Sequence, residues 1–368
     1  MAIEGRLIFE DRVAAGRIEV ADGVIASVEL MDERADGPYI APGFVDIHVH
    51  GWGGHDAMAG ATALDGMARA LLRRGVTSFL PTAVSAPLAD LGAFAETVRA
   101  WMPAAPADGA EPLGFNLEGP FLAAARRGAH DATSLRAPAE VTAHEWKVLI
   151  EGLRMLTIAP ELPGATDFIG WLSGRGVAVS VGHSAATLAE ARAGYAAGAT
   201  STTHLFNAMT GIDHRAPGLA LAALLDDAVY VELIADGVHV DRALWPLVTR
   251  LKPADRLLLV SDAIAIAGTG EGRGLIGGLE CEVVGQRVTL AGTDTLAGSV
   301  VGLDEAVRNL VESGVPLPAA AAAASRNPLA VLGVSDRGRI AAGQRADLVL
   351  LDGQLHVQRV MRGGAWAT

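Results

Sequence analysis

Eight short apolar runs recur along this chain with helix-like segments between them, and that alternation constrains the fold most. They cover residues 44–49, 76–80, 113–117, 155–159, 177–181, 201–204, 229–235 and 256–260. Continuous apolar strands separated by helices indicate a parallel sheet covered on both faces. Eight such units close a (β/α)8 barrel of the TIM type, in the α/β class. The intervening segments carry helix signals. Residues 61–74 have apolar positions at helical spacing and stop at Gly75, and residues 185–197 stop before Gly198.

The flanks read differently. Arg17-Ile18-Glu19-Val20 alternates and is followed by Asp22-Gly23, a hairpin turn signal. The tail repeats this style around Gly338-Arg339-Ile340 and over residues 346–353. Both ends are expected to form one small β-sandwich domain, residues 1–41 plus 335–368, beside a barrel of residues 42–334. Residues 268–301 are Gly-rich with strand-like pieces at 281–284 and 287–290, which predicts a hairpin-bearing loop after the last barrel strand. The Ala-rich piece 319–324 predicts an ordinary helix.

Composition excludes several roles. About half of the 368 residues are apolar, enough for a large core and more than one domain. A net charge of −13 argues against general affinity for nucleic acid or an anionic membrane. An anionic substrate would need a local basic pocket. A single cysteine, Cys281, rules out an intramolecular disulfide and fits a reducing cytoplasm; it reads as a small hydrophobe in a strand. Met1 to Arg6 shows no apolar signal core, and no apolar run approaches the roughly 20 residues that span a bilayer.

Polar clusters fall where the strands should end. They are Asp46-Ile47-His48-Val49-His50, Glu118 before Gly119-Pro120, His183 after Gly182, His204 in Thr203-His204-Leu205, and Asp262 after Ser261. His48 and His50, two apart on a strand, point the same way. At the carboxyl end of a barrel strand that direction is over the mouth. Taken singly, each cluster has a plainer reading: exposed loop histidines, a hydrogen-bonded structural histidine, or a carboxylate capping a helix. Taken together they predict a metal site, because imidazoles and carboxylates are the ligands of Zn²⁺ and Fe²⁺. His55, Asp56, His144, His214 and His356 receive no role and are expected at the surface or behind the site.

The segments Pro42 to Gly51, Leu117-Glu118-Gly119-Pro120-Phe121, Gly182-His183-Ser184 and His204-Leu205-Phe206-Asn207-Ala208-Met209 resemble the amidohydrolase superfamily. With Ala235 to Val240, Ser261-Asp262-Ala263 and Leu296-Ala297-Gly298-Ser299, they resemble its N-acetylglucosamine-6-phosphate deacetylase branch over nearly the whole chain. The resemblance implies a divalent metal, one or two per subunit (Zn, Fe, Mn or Co). Glu118, His183 and His204 would hold the first; His48, His50, Glu118 and Asp262 would supply a second. It implies Asp262 as general acid/base, His130 as the group that polarises the carbonyl, and Asn207, Ala208, Arg215 and His239 as ligands of the sugar phosphate. It further implies a homodimer, a phosphorylated amino sugar as substrate, and a cytoplasmic enzyme of amino-sugar metabolism.

Relatives that bridge two metals with a carboxylated lysine place it on the fourth strand. Here Met155 to Glu161 holds none, and Lys147 and Lys252 fall outside the strand runs. The galactosamine epimer remains an alternative substrate. Relatives that act only in assembly have lost ligands, and no ligand position is broken here.

Overall fold

The computed structural model describes residues 1–31, 37–270 and 272–367. All eight apolar runs become barrel strands: β1 Phe44–Val49, β2 Val76–Ala83, β3 Phe115–Glu118, β4 Leu153–Ile158, β5 Ala178–Val181, β6 Ser201–Thr202, β7 Tyr230–Leu233 and β8 Leu257–Leu259. They are parallel and pair in chain order from β1 to β8. Closure comes from backbone bonds beyond β8. Asp262 N–H donates to His48 O at 2.9 Å, and His50 N–H donates to Ala263 O at 2.8 Å. Side chains are buried along the full length of β1 and β2, as expected of strands sandwiched between a packed interior and a helical layer.

Helices follow the strands: α1 Ala61–Leu72, α2 Leu88–Trp101, α3 Ala143–Ile150, α4 Ala165–Ser173, α5 Leu188–Ala196, α6 Leu219–Leu225, α7 Trp245–Leu251 and α8 Leu303–Glu312, with α9 Leu317–Ala323 and α10 Arg326–Val331 behind them. Gly75 adopts φ 86°, a left-handed exit that glycine permits. The helix expected from residue 185 starts later. Thr187 and Glu190 form a capping box, with Glu190 Oε2 accepting from Thr187 N–H at 2.8 Å, so the first helical residue is Leu188. Lys147 lies on α3 and Lys252 just past α7, so no lysine stands on a barrel strand.

The chain ends build one seven-stranded sheet. Its order is Ala365–Trp366, Val357–Arg362, Leu348–Leu351, Tyr39–Pro42, Ala2–Ile8, Val13–Ala21 and Val24–Leu30. Asp22 and Gly23, at φ 50° and 80°, make the tight turn between the last two. The sheet curls on itself: Ala346 N–H donates to Gly23 O and Ile25 N–H to Gln344 O. Leu7, Ile18, Ile25, Ile40, Leu348 and Met361 fill the space inside the curl. Tyr39–Pro42 then runs into β1 through Gly43, where a Cβ would lie 2.2 Å from Thr77 Oγ1.

Buried Arg337 joins this sheet to the barrel. Its guanidinium lies 3.1 Å from Glu111, 3.0 Å from Asp336 and 3.2 Å from Ser78 Oγ on β2. Removing one partner of such a network strands the others' charge. Arg337→Ala is therefore expected to lower unfolding stability by about 3 kcal/mol, read from urea denaturation at pH 7. A loss within error of zero would show that Arg345, which also pairs with Glu111, carries the joint alone.

After β8 a small antiparallel sheet is inserted, with strands Gly272–Ile276, Leu279–Val284 and Arg287–Leu290. Val84, Ile264, Ile276, Val283, Val288 and fully buried Cys281 form its core.

Candidate metal centre

The carboxyl ends of β1, β3, β5, β6 and β8 bring His48, His50, Glu118, His183, His204 and Asp262 together, each at most 7% exposed. His183, His204 and Asp262 take φ of 45°, 26° and 50°. Side-chained residues rarely adopt this left-handed region, and each such residue costs about 1–3 kcal/mol. The chain leaves the strand direction at each of these three residues.

Glu118 is the hub. Its Oε1 lies 3.0 Å from His183 Nε2, 2.9 Å from His204 Nε2 and 3.5 Å from His48 Nε2. Its Oε2 lies 3.2 Å from both His50 Nε2 and His130 Nε2. Asp262 Oδ1 lies 3.2 Å from His50 Nε2 and 3.6 Å from His48 Nε2.

Hydrogen bonds behind the rings set what each ring offers. His183 Nδ1–H donates to Arg126 O at 2.8 Å, His50 Nδ1–H to Thr82 O at 3.1 Å, and His48 Nδ1–H to Glu232 Oε2 at 3.0 Å. In the neutral ring each Nε2 then keeps its lone pair toward Glu118. His130 is reversed. Its Nδ1 accepts from Ser85 N–H at 3.1 Å, so its proton sits on Nε2 and faces the site. The buried Nε2 atoms of His48 and His50 have no hydrogen-bond partner of good geometry among the described residues. Inward lone pairs, two shared carboxylates and orphaned ring nitrogens suit a divalent cation. Two sets of ligand-type atoms converge closely enough for one: His48, His50, Glu118 and Asp262, and Glu118, His130 and His183, although the proton on His130 Nε2 keeps that ring from ligating.

Charge in the metal-free cluster follows from these contacts. Burial opposes protonation of His50, but Asp262 and Glu118 outweigh it and push its pKa up to about 9. His48 is likewise driven well above the usual imidazole range, by Glu118 and Glu232 against burial. Burial, with His130 and His204 adding to it, pushes His183 down to about 4. Burial also opposes ionisation of Glu118, but the surrounding imidazoles hold its pKa well below the carboxylate range.

The sign for stability follows. His50 rises from 6.5 to about 9, so its contribution is full below 6.5 and is lost as pH climbs through 9. His183 falls from 6.5 to about 4, so its contribution is full above 6.5 and is lost as pH drops through 4. A cation that takes the Nε2 lone pair of His50 must displace its proton near neutrality. Zn²⁺ titrated into chelator-stripped protein at pH 7 is thus expected to release protons and to bind more tightly at pH 8 than at pH 6. Calorimetry in buffers of different ionisation enthalpy measures this, and a buffer-independent heat would contradict it.

Above the cluster lies a cavity of about 340 Å³. His130, Asn207, Ala208 and His239 line it together with His50, Glu118, His183, His204 and Asp262, and Ile276, Thr295 and Leu296 close one side from the inserted sheet and its flank. His239 is held by Asp236, whose Oδ2 accepts from Nδ1–H at 2.7 Å. Arg215 is not in this lining. It is exposed, with Nε–H donating to His214 at 2.9 Å. A larger cleft of about 500 Å³ between the chain-end sheet and α9 and α10 holds no histidine in its walls.

Of the residues given no role, His144 is exposed on α3 and His356 is exposed beside Asp352. His55 packs against Gly66 of α1, and half-buried Asp56 accepts from Met58 N–H at 2.7 Å. Two residues escaped the sequence reading. Glu232, fully buried on β7, holds His48; its signal is a charge inside an apolar strand run. Arg126 lines the cavity and its backbone carbonyl holds the His183 ring, with no signal beyond its nearness to Glu118.

Comparison with known proteins agrees with this geometry. The model of the amidohydrolase family matches residues 39–367. An N-acetylgalactosamine-6-phosphate deacetylase of Escherichia coli is 39% identical over 363 residues, covering 96% of this chain and 94% of that protein. The human N-acetylglucosamine-6-phosphate deacetylase is 37% identical over 387 residues, covering 98% and 92%. The Thermotoga maritima N-acetylglucosamine-6-phosphate deacetylase superposes with a TM-score of 0.93 at 35% identity, covering 100% of this chain and 99% of that one. A Mycobacterium smegmatis variant enzyme, solved in complex with N-acetyl-D-glucosamine-6-phosphate, gives 0.92 at 36% identity with the same coverage. With its ring of imidazoles around Glu118 at the mouth of an eight-stranded barrel, the chain belongs to the amidohydrolase family and is a metal-dependent hydrolase of carbon–nitrogen bonds.

Proposed function

We propose that this enzyme hydrolyses N-acetylglucosamine-6-phosphate to glucosamine-6-phosphate and acetate, in amino-sugar breakdown and recycling. One observation carries the reading: Glu118 meets five imidazoles, and the bonds behind them turn three lone pairs and one proton toward it at the foot of the cavity. Full-length likeness to deacetylases of this substrate supports it.

Glu118, His183 and His204 would hold one divalent cation, and His48, His50 and Asp262 a second with Glu118. Zn, Fe, Mn or Co suits these donors. When bound, such a cation acts as a Lewis acid and lowers the pKa of water from 15.7 to about 7. Asp262 accepts a proton from the attacking water and delivers it to the amide nitrogen as the C–N bond breaks. His130 Nε2–H donates to the acetamide oxygen as negative charge grows there. The water oxygen leaves in acetate, and the sugar keeps the amine. Asn207, the Ala208 backbone and His239 would hold the sugar phosphate. Arg215, on the exposed loop with exposed Ile212, would reach the cavity of a second copy, and we infer a homodimer on that ground. Among the described residues no helix is long and apolar enough to cross a membrane. Cys281 is free and buried, which fits a reducing cytoplasm.

The galactosamine epimer is the second reading, supported by the 39% identical relative. Acetate release from both epimers, with unphosphorylated N-acetylglucosamine alongside, separates them. Fast, phosphate-dependent release from the glucosamine compound, abolished by a chelator, is expected. Release from the galactosamine compound alone would transfer the assignment. No release from either, with metal bound, would move the substrate elsewhere.

A further inference from the structure

Glu232 stands out among the buried charges. It is fully buried on β7 between Val231 and Leu233, which are equally buried. Its Oε2 accepts from His48 Nδ1–H at 3.0 Å and from the backbone N–H of His204 at 3.2 Å. Its Oε1 has no hydrogen-bond partner among the described residues. Among the described residues no lysine or arginine pairs with it. A carboxylate buried this way costs several kcal/mol unless positive charge reaches it. Among the described residues the only cation-capable group it is seen to touch is the His48 ring, whose far nitrogen faces Glu118 and Asp262.

We propose that Glu232 is a positioning residue that makes His48 a cation ligand and so builds the second cation position beside Glu118 and Asp262. The inference rests on the metal-dependent reading above. Glu232 holds the His48 proton on Nδ1, which leaves the Nε2 lone pair free to bind, and its negative charge strengthens that nitrogen as a donor. Its bond to the His204 backbone ties β7 to the end of β6, and its bond to the His48 ring ties β7 to β1. Through it, the ring of one ligand and the main chain of another share one support. The alternative is a staple that only stiffens the barrel.

The test compares wild type, Glu232→Gln and Glu232→Leu after stripping with dipicolinate and reloading with Zn²⁺. Zinc per chain is read by elemental analysis and affinity by calorimetry. Wild type is expected to take two ions per chain. Glu232→Leu is expected to keep one and to bind the other about 10- to 100-fold more weakly or worse. Glu232→Gln, which keeps an acceptor but no charge, is expected to fall between them, and it carries the test if the leucine variant fails to fold. The melting temperature of the stripped leucine variant is expected to match or exceed that of stripped wild type. A mere staple would lower that melting temperature and leave two tight ions. Two tight ions in Glu232→Leu, or in a folded Glu232→Gln if leucine does not fold, would overturn the proposal, and so would a single ion in wild type. Acetate release measured in parallel separates that failure from failure of the deacetylase reading.

Discussion

Asp262→Asn is expected to retain metal better than His183→Ala does and to turn over about a thousandfold more slowly. The substitution keeps shape and backbone. Asp262 sits at φ 50°, a conformation asparagine tolerates well. Its position is pinned from both sides, by its N–H to His48 O at 2.9 Å and by Ser299 N–H to its own carbonyl at 2.8 Å. One oxygen remains to face His50 Nε2, 3.2 Å away in the native protein. What disappears is basicity: an amide cannot take the water's proton and return it to the leaving nitrogen. His183→Ala should behave in the opposite way. It deletes a ring nitrogen 3.0 Å from the hub carboxylate, so metal and activity leave together. Metal content and kcat measured on the same preparations check both, and near-normal turnover in Asp262→Asn would refute its proton-transfer role.

Glu118→Gln is expected to weaken cation binding by more than about 100-fold, beyond the loss of an outer partner, and to abolish detectable turnover. Both groups of converging donors include Glu118. No other carboxylate touches all five imidazoles. A glutamine would keep the volume but remove the charge and turn N–H donors toward neighbouring rings. The charge balance would shift as well, because Glu118 is a leading cause of the raised pKa of His48 and, with Asp262, of His50. The proton release expected on zinc uptake should shrink in this variant, and the same calorimetric experiment reads it. Wild-type zinc affinity in Glu118→Gln would dissolve the hub.

The barrel was legible because its strands are buried on two faces and so are apolar without interruption. Even Ser201–Thr202 was marked by the turn at Gly198 before it and His204 after it. The cluster was legible because polar residues at the ends of apolar runs have few structural reasons to be there. Glu232 was missed for the converse reason: it lies inside a run that reads as apolar, and only the fold reveals that its neighbour is His48. The cavity wall at Ile276 and Leu296 was also hidden. The hairpins were readable from their glycines, but their folding back over the mouth is a matter of tertiary packing. For Arg215 the resemblance implied a phosphate ligand, whereas the residue stands outside the lining of its own cavity and pairs with His214.

The curled sheet of the chain ends bears on the protein's biogenesis. Tyr39–Pro42, which leads into the strand of His48 and His50, pairs on one side with Ala2–Ile8 and on the other with Leu348–Leu351. The second partner is made long after Tyr39–Pro42 itself. At about 5–20 residues per second, the first histidine pair waits roughly 15 to 60 seconds for that flank to arrive. Ligands on β8 emerge late in the same interval. Loading of a cation on the full set of ligands therefore waits for Asp262, the last of them in chain order, and follows the strand that carries the histidine pair by most of the barrel's synthesis.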